Sequence, residues 1–113
     1  MVDQHAAEEL QLFIENDEQL YRSRFVPIME NLKRKMNRGV YDHSKAPKLW
    51  RYLVDAAAKA YPYGDKAVEW HKTFNTTTRQ HVAQALADEY REEVQKVHQR
   101  LPGSWLTLHK RLP

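Results

Sequence analysis

Residues 39–61, GVYDHSKAPKLWRYLVDAAAKAY, hold a loop, a cap and one long helix with two opposed faces. Ala46, Leu49, Trp50, Leu53, Val54, Ala57 and Tyr61 recur at the three-four spacing of a buried helical stripe. Lys45, Lys48, Arg51, Asp55 and Lys59 form the opposite, mostly positive stripe. The pattern predicts a helix that gives one face to a core and the other to solvent or a partner. Ser44 is the expected N-cap, which sets Pro47 in the first turn, where its missing N–H is tolerated. Asp42 is the alternative cap.

Toward the N-terminus, a helix over about Ala6–Glu15 aligns Ala6, Leu10, Phe13 and Ile14, and Asn16-Asp17 ends it. Asp17 can cap the next helix, Glu18–Arg38, whose inward residues are Leu20, Tyr21, Phe25, Ile28, Met29, Leu32 and Met36. Gly39 stops it. Pro27 falls inside, where a regular helix loses about 3 kcal/mol, so a kink is expected between Ser23 and Val26, with two shorter helices meeting there as the alternative. Toward the C-terminus, Pro-Tyr-Gly-Asp is turn chemistry. Asp65 is placed to cap a short helix over Lys66–Thr73 that pairs Trp70 with Phe74. Asn75 caps a last long helix over about Thr76–Leu101, burying Val82, Ala83, Leu86, Ala87, Tyr90, Val94, Val97 and Leu101, before Pro102-Gly103 ends it. Strand signals are missing. The expected architecture is all-α: a compact antiparallel bundle of three long helices plus short N-terminal and linking helices, in one domain over 1–113 with 104–113 as a tail.

Composition narrows the function classes. The 113 residues contain no cysteine, which removes disulfide and thiolate chemistry. No apolar run approaches the roughly 20 residues of a membrane span, and the acidic N-terminus does not read as a signal peptide, so a cytoplasmic protein without a membrane partner is expected. Net charge is only +3, but the signs are segregated. Residues 1–20 carry acids and no Lys or Arg, whereas 22–51 are basic apart from Glu30 and Asp42, and 94–113 carry bases alone.

The six histidines lie on different elements, with no metal-binding spacing such as HExxH, so no metal is expected. No serine sits in a strand–turn–helix elbow, and the three glycines, at 39, 64 and 103, each mark a helix end and not a phosphate loop. Asp88, Glu89, Glu92 and Glu93 read as the solvated face of a helix pairing with neighbours such as Lys96. Neither catalysis nor a cofactor is expected. What remains is a surface: Lys33, Arg34, Lys35 and Arg38 on the second helix, Tyr41 in the loop, Lys45, Lys48 and Arg51 on the third helix, and Trp70. If the two helices form a hairpin, these charges share one end of the molecule. Tyr41, Tyr52 and Trp70 are the candidates for stacking.

Five segments carry a resemblance over about residues 10–93: LFIENDEQLYR, PIMENLKRKMNRGVYD, KAPKLWRYLVDAAAKAY, WHKTF and ALADEYREE. Together they resemble a family of small uncharacterised proteins of tailed bacteriophages. That family often has Gly where this chain has Glu18, and the C-terminal QKVHQRLPGSWLTLHKRLP departs from its pattern. The resemblance implies no activity and no site residue. Taken with the helical scaffold, the segregated charge and the lack of chemistry, it leads to the expectation of a small binding protein acting on a host or phage protein in the cytoplasm of an infected bacterium, as in host takeover or counter-defence. A nucleic-acid binder using the basic end and a structural component of the virion are the alternatives.

Overall fold

A computed structural model describes residues 1–63 and 69–97, the side chain of Val97 excepted. The expected Asp65 cap, the helix end at Leu101–Gly103, the 104–113 tail with Trp105, and His98 and His109 lie outside the described residues. Within them every regular element is helical. The chain forms α1 (Gln4–Asn16), α2 (Glu18–Leu20), a π-helical turn (Tyr21–Phe25) and α3 (Val26–Asn37). A 3-10 turn (His43–Lys45) leads into α4 (Ala46–Ala60), followed by α5 (Trp70–Thr73), α6 (Thr76–Glu89) and α7 (Arg91–Val97).

The count of three long helices needs correction, because α1 has 13 residues and is a full member of the bundle. Asp3 caps it by accepting from the Ala6 N–H, and the Asp3 N–H donates to Oγ1 of the buried Thr78 at 3.1 Å, which ties its start to α6. Ala6, Ala7, Leu10 and Ile14 are buried, and the two alanines let α1 approach closely. With the helical run 18–37, α4, and the α6–α7 arm, four long elements pack together. Helix α4 lies against α1, α3 and α6, and its buried Trp50, Leu53, Val54, Ala57 and Ala58 make it central.

At Pro27 the helical run continues through a π turn and does not split into two separate helices. The Val26 N–H donates to the Tyr21 carbonyl, five residues back, so the turn holds one residue more than an α-turn. That widening accommodates the ring of a residue that has no N–H to donate and that collides with the preceding turn of a regular helix. It also aims Phe25 at the core, where its ring meets Trp50 at 5.3 Å and Tyr90 edge-on at 4.8 Å. Tyr90 marks a second departure. The expected single helix from Thr76 is interrupted there, with φ −97° and ψ 6°, and resumes as α7 with the Val94 N–H donating to the Tyr90 carbonyl.

The caps are mostly as expected. Asp17 accepts from the Leu20 N–H and Asn75 from the Thr78 N–H, each at 2.8 Å. At α4, however, neither Ser44 nor Asp42 is the cap: Lys45 holds that position without a side-chain bond, and Asp42 caps the preceding 3-10 turn, accepting from both the N–H and the hydroxyl of Ser44. Trp70 and Phe74 also part company: Phe74 turns inward against Tyr61 and Tyr63, whereas Trp70 turns onto Lys59 and Arg79.

One contact in the bundle is unfavourable at neutral pH. Gln11 on α1 donates to Glu89 on α6 at 3.1 Å, and Glu15 faces the same carboxylate. Partial burial first and Glu89 second raise the Glu15 carboxyl above its ordinary 4.5. A carboxyl raised by folding contributes stability that is fully present below its unfolded value and is lost as pH rises through the folded one. Glu15→Gln is therefore expected to match the parent at pH 4 and exceed it at pH 7.5. The gain should be about 0.3–0.5 kcal/mol, small because solvent and salt screen the pair. Urea unfolding at the two pH values checks this, and an equal effect at both removes the explanation.

Candidate functional site

The basic end is assembled by a tight turn between α3 and α4. Gly39, with φ +73°, lets its own N–H reach the Met36 carbonyl and the Val40 N–H reach the Lys35 carbonyl, a paired closure that satisfies the end of α3. The chain then reverses through Val40 and Tyr41 into the Asp42 cap. Arg34, Arg38, Lys45 and Lys48 are exposed and Lys35 is half-buried. Among the described residues none of these five makes an ion pair with a carboxylate. Asp42 is the acid within the turn, and the hydrogen bonds from Ser44 hold its carboxyl below the usual range. Val40, 61% exposed, stands among the cations.

Four of the nine expected surface residues do other work. Lys33 is only 8% exposed, and burial lowers its ammonium to about 8 against the opposing pull of Glu93 and Glu30. Its alkyl stem belongs to the interior, so it is not a surface cation. Arg51 points away from the turn: its Nε donates to Asp55 at 2.9 Å and its Nη1 to Gln80 of α6 at 2.8 Å. Trp70 lies at the opposite end of α4, its ring 5.1 Å from the Lys59 ammonium. Tyr41 is at the basic end, but its hydroxyl is engaged.

That engagement is a chain of hydrogen bonds linking the turn to α6. Tyr41 Oη lies 2.8 Å from His43 Nδ1, and His43 Nε2 lies 2.8 Å from Asp88 Oδ1. A carboxylate can only accept, so the arrangement selects the Nε2–H tautomer, which leaves Nδ1 to accept from the phenol. Gln84 also donates to Asp88 at 3.0 Å, and the bonds from His43 and Gln84 keep the Asp88 carboxyl below its ordinary range. Burial raises the Tyr41 hydroxyl, which keeps it a neutral phenol. The chain thus ties the turn to α6. Beside it opens a cleft of about 660 Å³ between the turn and α7, with Met36, Val40 and Tyr41 on one side and Arg91 and Gln95 on the other.

Sequence reasoning missed Arg79 and read Asp88 only as part of a solvated acidic face, not as the partner of His43. Arg79 is 6% exposed and bonded through all three nitrogens: Nε donates to the Phe74 carbonyl at 2.8 Å, Nη1 to Asp55 at 2.8 Å and Nη2 to Thr76 at 3.2 Å. Its guanidinium lies 4.8 Å from the centre of the Trp70 ring. The signal for Asp88 was its place among acids on a helix face, which describes solvent as well as it describes His43. Among the described residues no group of three His, Asp or Glu could hold a metal ion, and no helix is long and apolar enough to cross a membrane. No protein-family model, no curated protein and no solved structure matches this chain.

Proposed function

We propose that this is a small helical protein that acts by binding and without catalysis, docking on an acidic surface of a host or phage protein. The observation that carries the reading is the α3–α4 turn, where Arg34, Lys35, Arg38, Lys45 and Lys48 have no carboxylate partner among the described residues. Cations left unpaired create a potential that steers an acidic partner. Exposed Val40, with Met36 in the wall of the adjoining cleft, adds the apolar contact that separates a protein interface from a purely electrostatic one. The Tyr41–His43–Asp88 chain fixes the turn beforehand, so little ordering entropy is lost on docking. The resemblance to small tailed-phage proteins supplies the setting.

Capture from nuclease-treated lysate of phage-infected bacteria tests it. The parent chain is expected to retain an acidic protein at moderate salt, and Arg34→Glu/Arg38→Glu/Lys45→Glu to lose it by at least about tenfold in affinity, as charge reversal at a steering surface requires. Lys72→Glu, which alters a cation already paired with Glu69 at 3.0 Å, should retain it. Retention of the same protein by the triple variant overturns the reading.

A further inference from the structure

A second surface runs along α4 on the side away from the core. At about 100° per residue, Lys48, Tyr52 and Lys59 stand within about 40° of one another around the helix axis and span about 16 Å along it, with Lys45 at the margin. Tyr52 is 65% exposed, the most exposed aromatic side chain among the described residues. Lys45, Lys48 and Lys59 make no ion pair among the described residues, and Asp55, the acid of α4, is turned to Arg51 and Arg79. At the C-terminal end of the stripe the Trp70 ring continues from Lys59, and neighbouring Glu69 is neutralised by Lys72.

A tyrosine ring left in water between cations contributes nothing to the core. It is, however, the arrangement that receives alternating phosphates and bases. A duplex keeps its base faces stacked on one another, and an acidic polypeptide offers charge without a ring for Tyr52 to stack on. Helix α4 contains no Ser, Thr, Asn or Gln, so apart from the Tyr52 hydroxyl it lacks the neutral donors and acceptors that read a ribose 2′-OH. We propose that the outward face of α4 binds single-stranded DNA, with Lys48 and Lys59 on phosphates and Tyr52 stacked on a base between them. This surface shares Lys48, and Lys45 at its margin, with the protein-docking reading but uses none of Arg34, Lys35 and Arg38, so charge reversal at the arginines separates the two.

Fluorescence anisotropy of a labelled 16-nucleotide oligo-dT against the full chain tests the proposal. Two lysine contacts to a single strand give a log–log salt slope of about −1.4, hence about a sevenfold loss of affinity between 50 and 200 mM salt. Tyr52→Ala is expected to weaken binding by about tenfold, whereas Tyr52→Phe keeps it, because the stacking face is retained. Lys48→Gln should reduce the slope by about 0.7. Circular dichroism verifies that these exposed-site variants stay folded. The proposal fails if oligo-dT does not bind, if Tyr52→Ala binds like the parent, or if duplex DNA or polyglutamate competes as well as oligo-dT. It also fails if Arg34→Glu/Arg38→Glu loses as much affinity as Tyr52→Ala, since the strand then lies on the basic end. An oligo-U bound tenfold more tightly overturns the assignment to DNA.

Discussion

Replacing Arg79 by Ala is expected to lower the unfolding free energy by about 3–5 kcal/mol, the loss that follows when one member of a buried ionic network is removed. Arg79 closes four contacts from three parts of the chain: the Phe74 carbonyl, Thr76, Asp55 of α4 and the Trp70 ring. Its removal leaves Asp55 with Arg51 alone, and leaves the Phe74 carbonyl without the donor the guanidinium supplies. Arg79→Lys should recover less than half of the loss, because an ammonium cannot reproduce the planar fork that reaches three acceptors at once. Thermal unfolding is a sufficient measurement, with a fall on the order of 10–20 °C expected for a domain of this size. Combining Arg79→Met with Asp55→Leu should cost clearly less than the two single changes summed, since no charge is then left behind. If Arg79→Ala costs below about 1 kcal/mol, the network is ornamental.

Trp50→Ala is the other large effect, about 3–5 kcal/mol. Trp50 is fully buried between α3 and the α6–α7 arm, its ring 5.3 Å from Phe25 and 5.6 Å from Tyr90. Truncation removes the ring on which Phe25 and Tyr90 converge and leaves a cavity at the centre of the core. Trp50→Phe keeps an aromatic partner for both neighbours and should cost less than half as much. Urea unfolding separates the two variants by midpoint at unchanged slope. Equal losses for Ala and Phe would assign the cost to the indole nitrogen and not to packing.

The parts of this fold that were legible in the sequence are those decided locally. The α4 stripe, the Asp17 and Asn75 caps and the stop at Gly39 each follow from residues within one or two helical turns. The parts that were not legible depend on what arrives from elsewhere. Arg79, inside TTTRQH, reads as a solvated residue near a helix start, and only the approach of Asp55 and Trp70 turns it into a buried hub. Lys33 looks equivalent to Arg34 and Lys35 in sequence, yet it alone turns inward toward Glu93 of α7. Asp88 could not be told from its acidic neighbours without the loop that carries His43 to it. Of the expected site, Arg34, Lys35, Arg38, Lys45 and Lys48 stay exposed or half-exposed at the turn, Tyr41 is there in a different role, and Trp70 belongs to the other end of α4.

The π turn at Tyr21–Phe25 has one more consequence, which concerns phase. A helix advances about 100° with each residue, so a turn that accommodates one extra residue rotates everything after it by that amount relative to a regular continuation. All of α3 lies downstream. The outward direction of Arg34 and Arg38 and the inward direction of Ile28, Met29 and Leu32 are therefore set together by a single residue of surplus in the Tyr21–Phe25 turn, well before the loop. Deleting one residue from Tyr21–Phe25 restores regular spacing and turns α3 like a key: the arginines swing toward the bundle, the apolar side chains swing out, and Pro27 meets the carbonyl it now avoids. A one-residue indel there is a change of face, whereas one in the Val40–Tyr41 turn leaves the phase of α3 as it is.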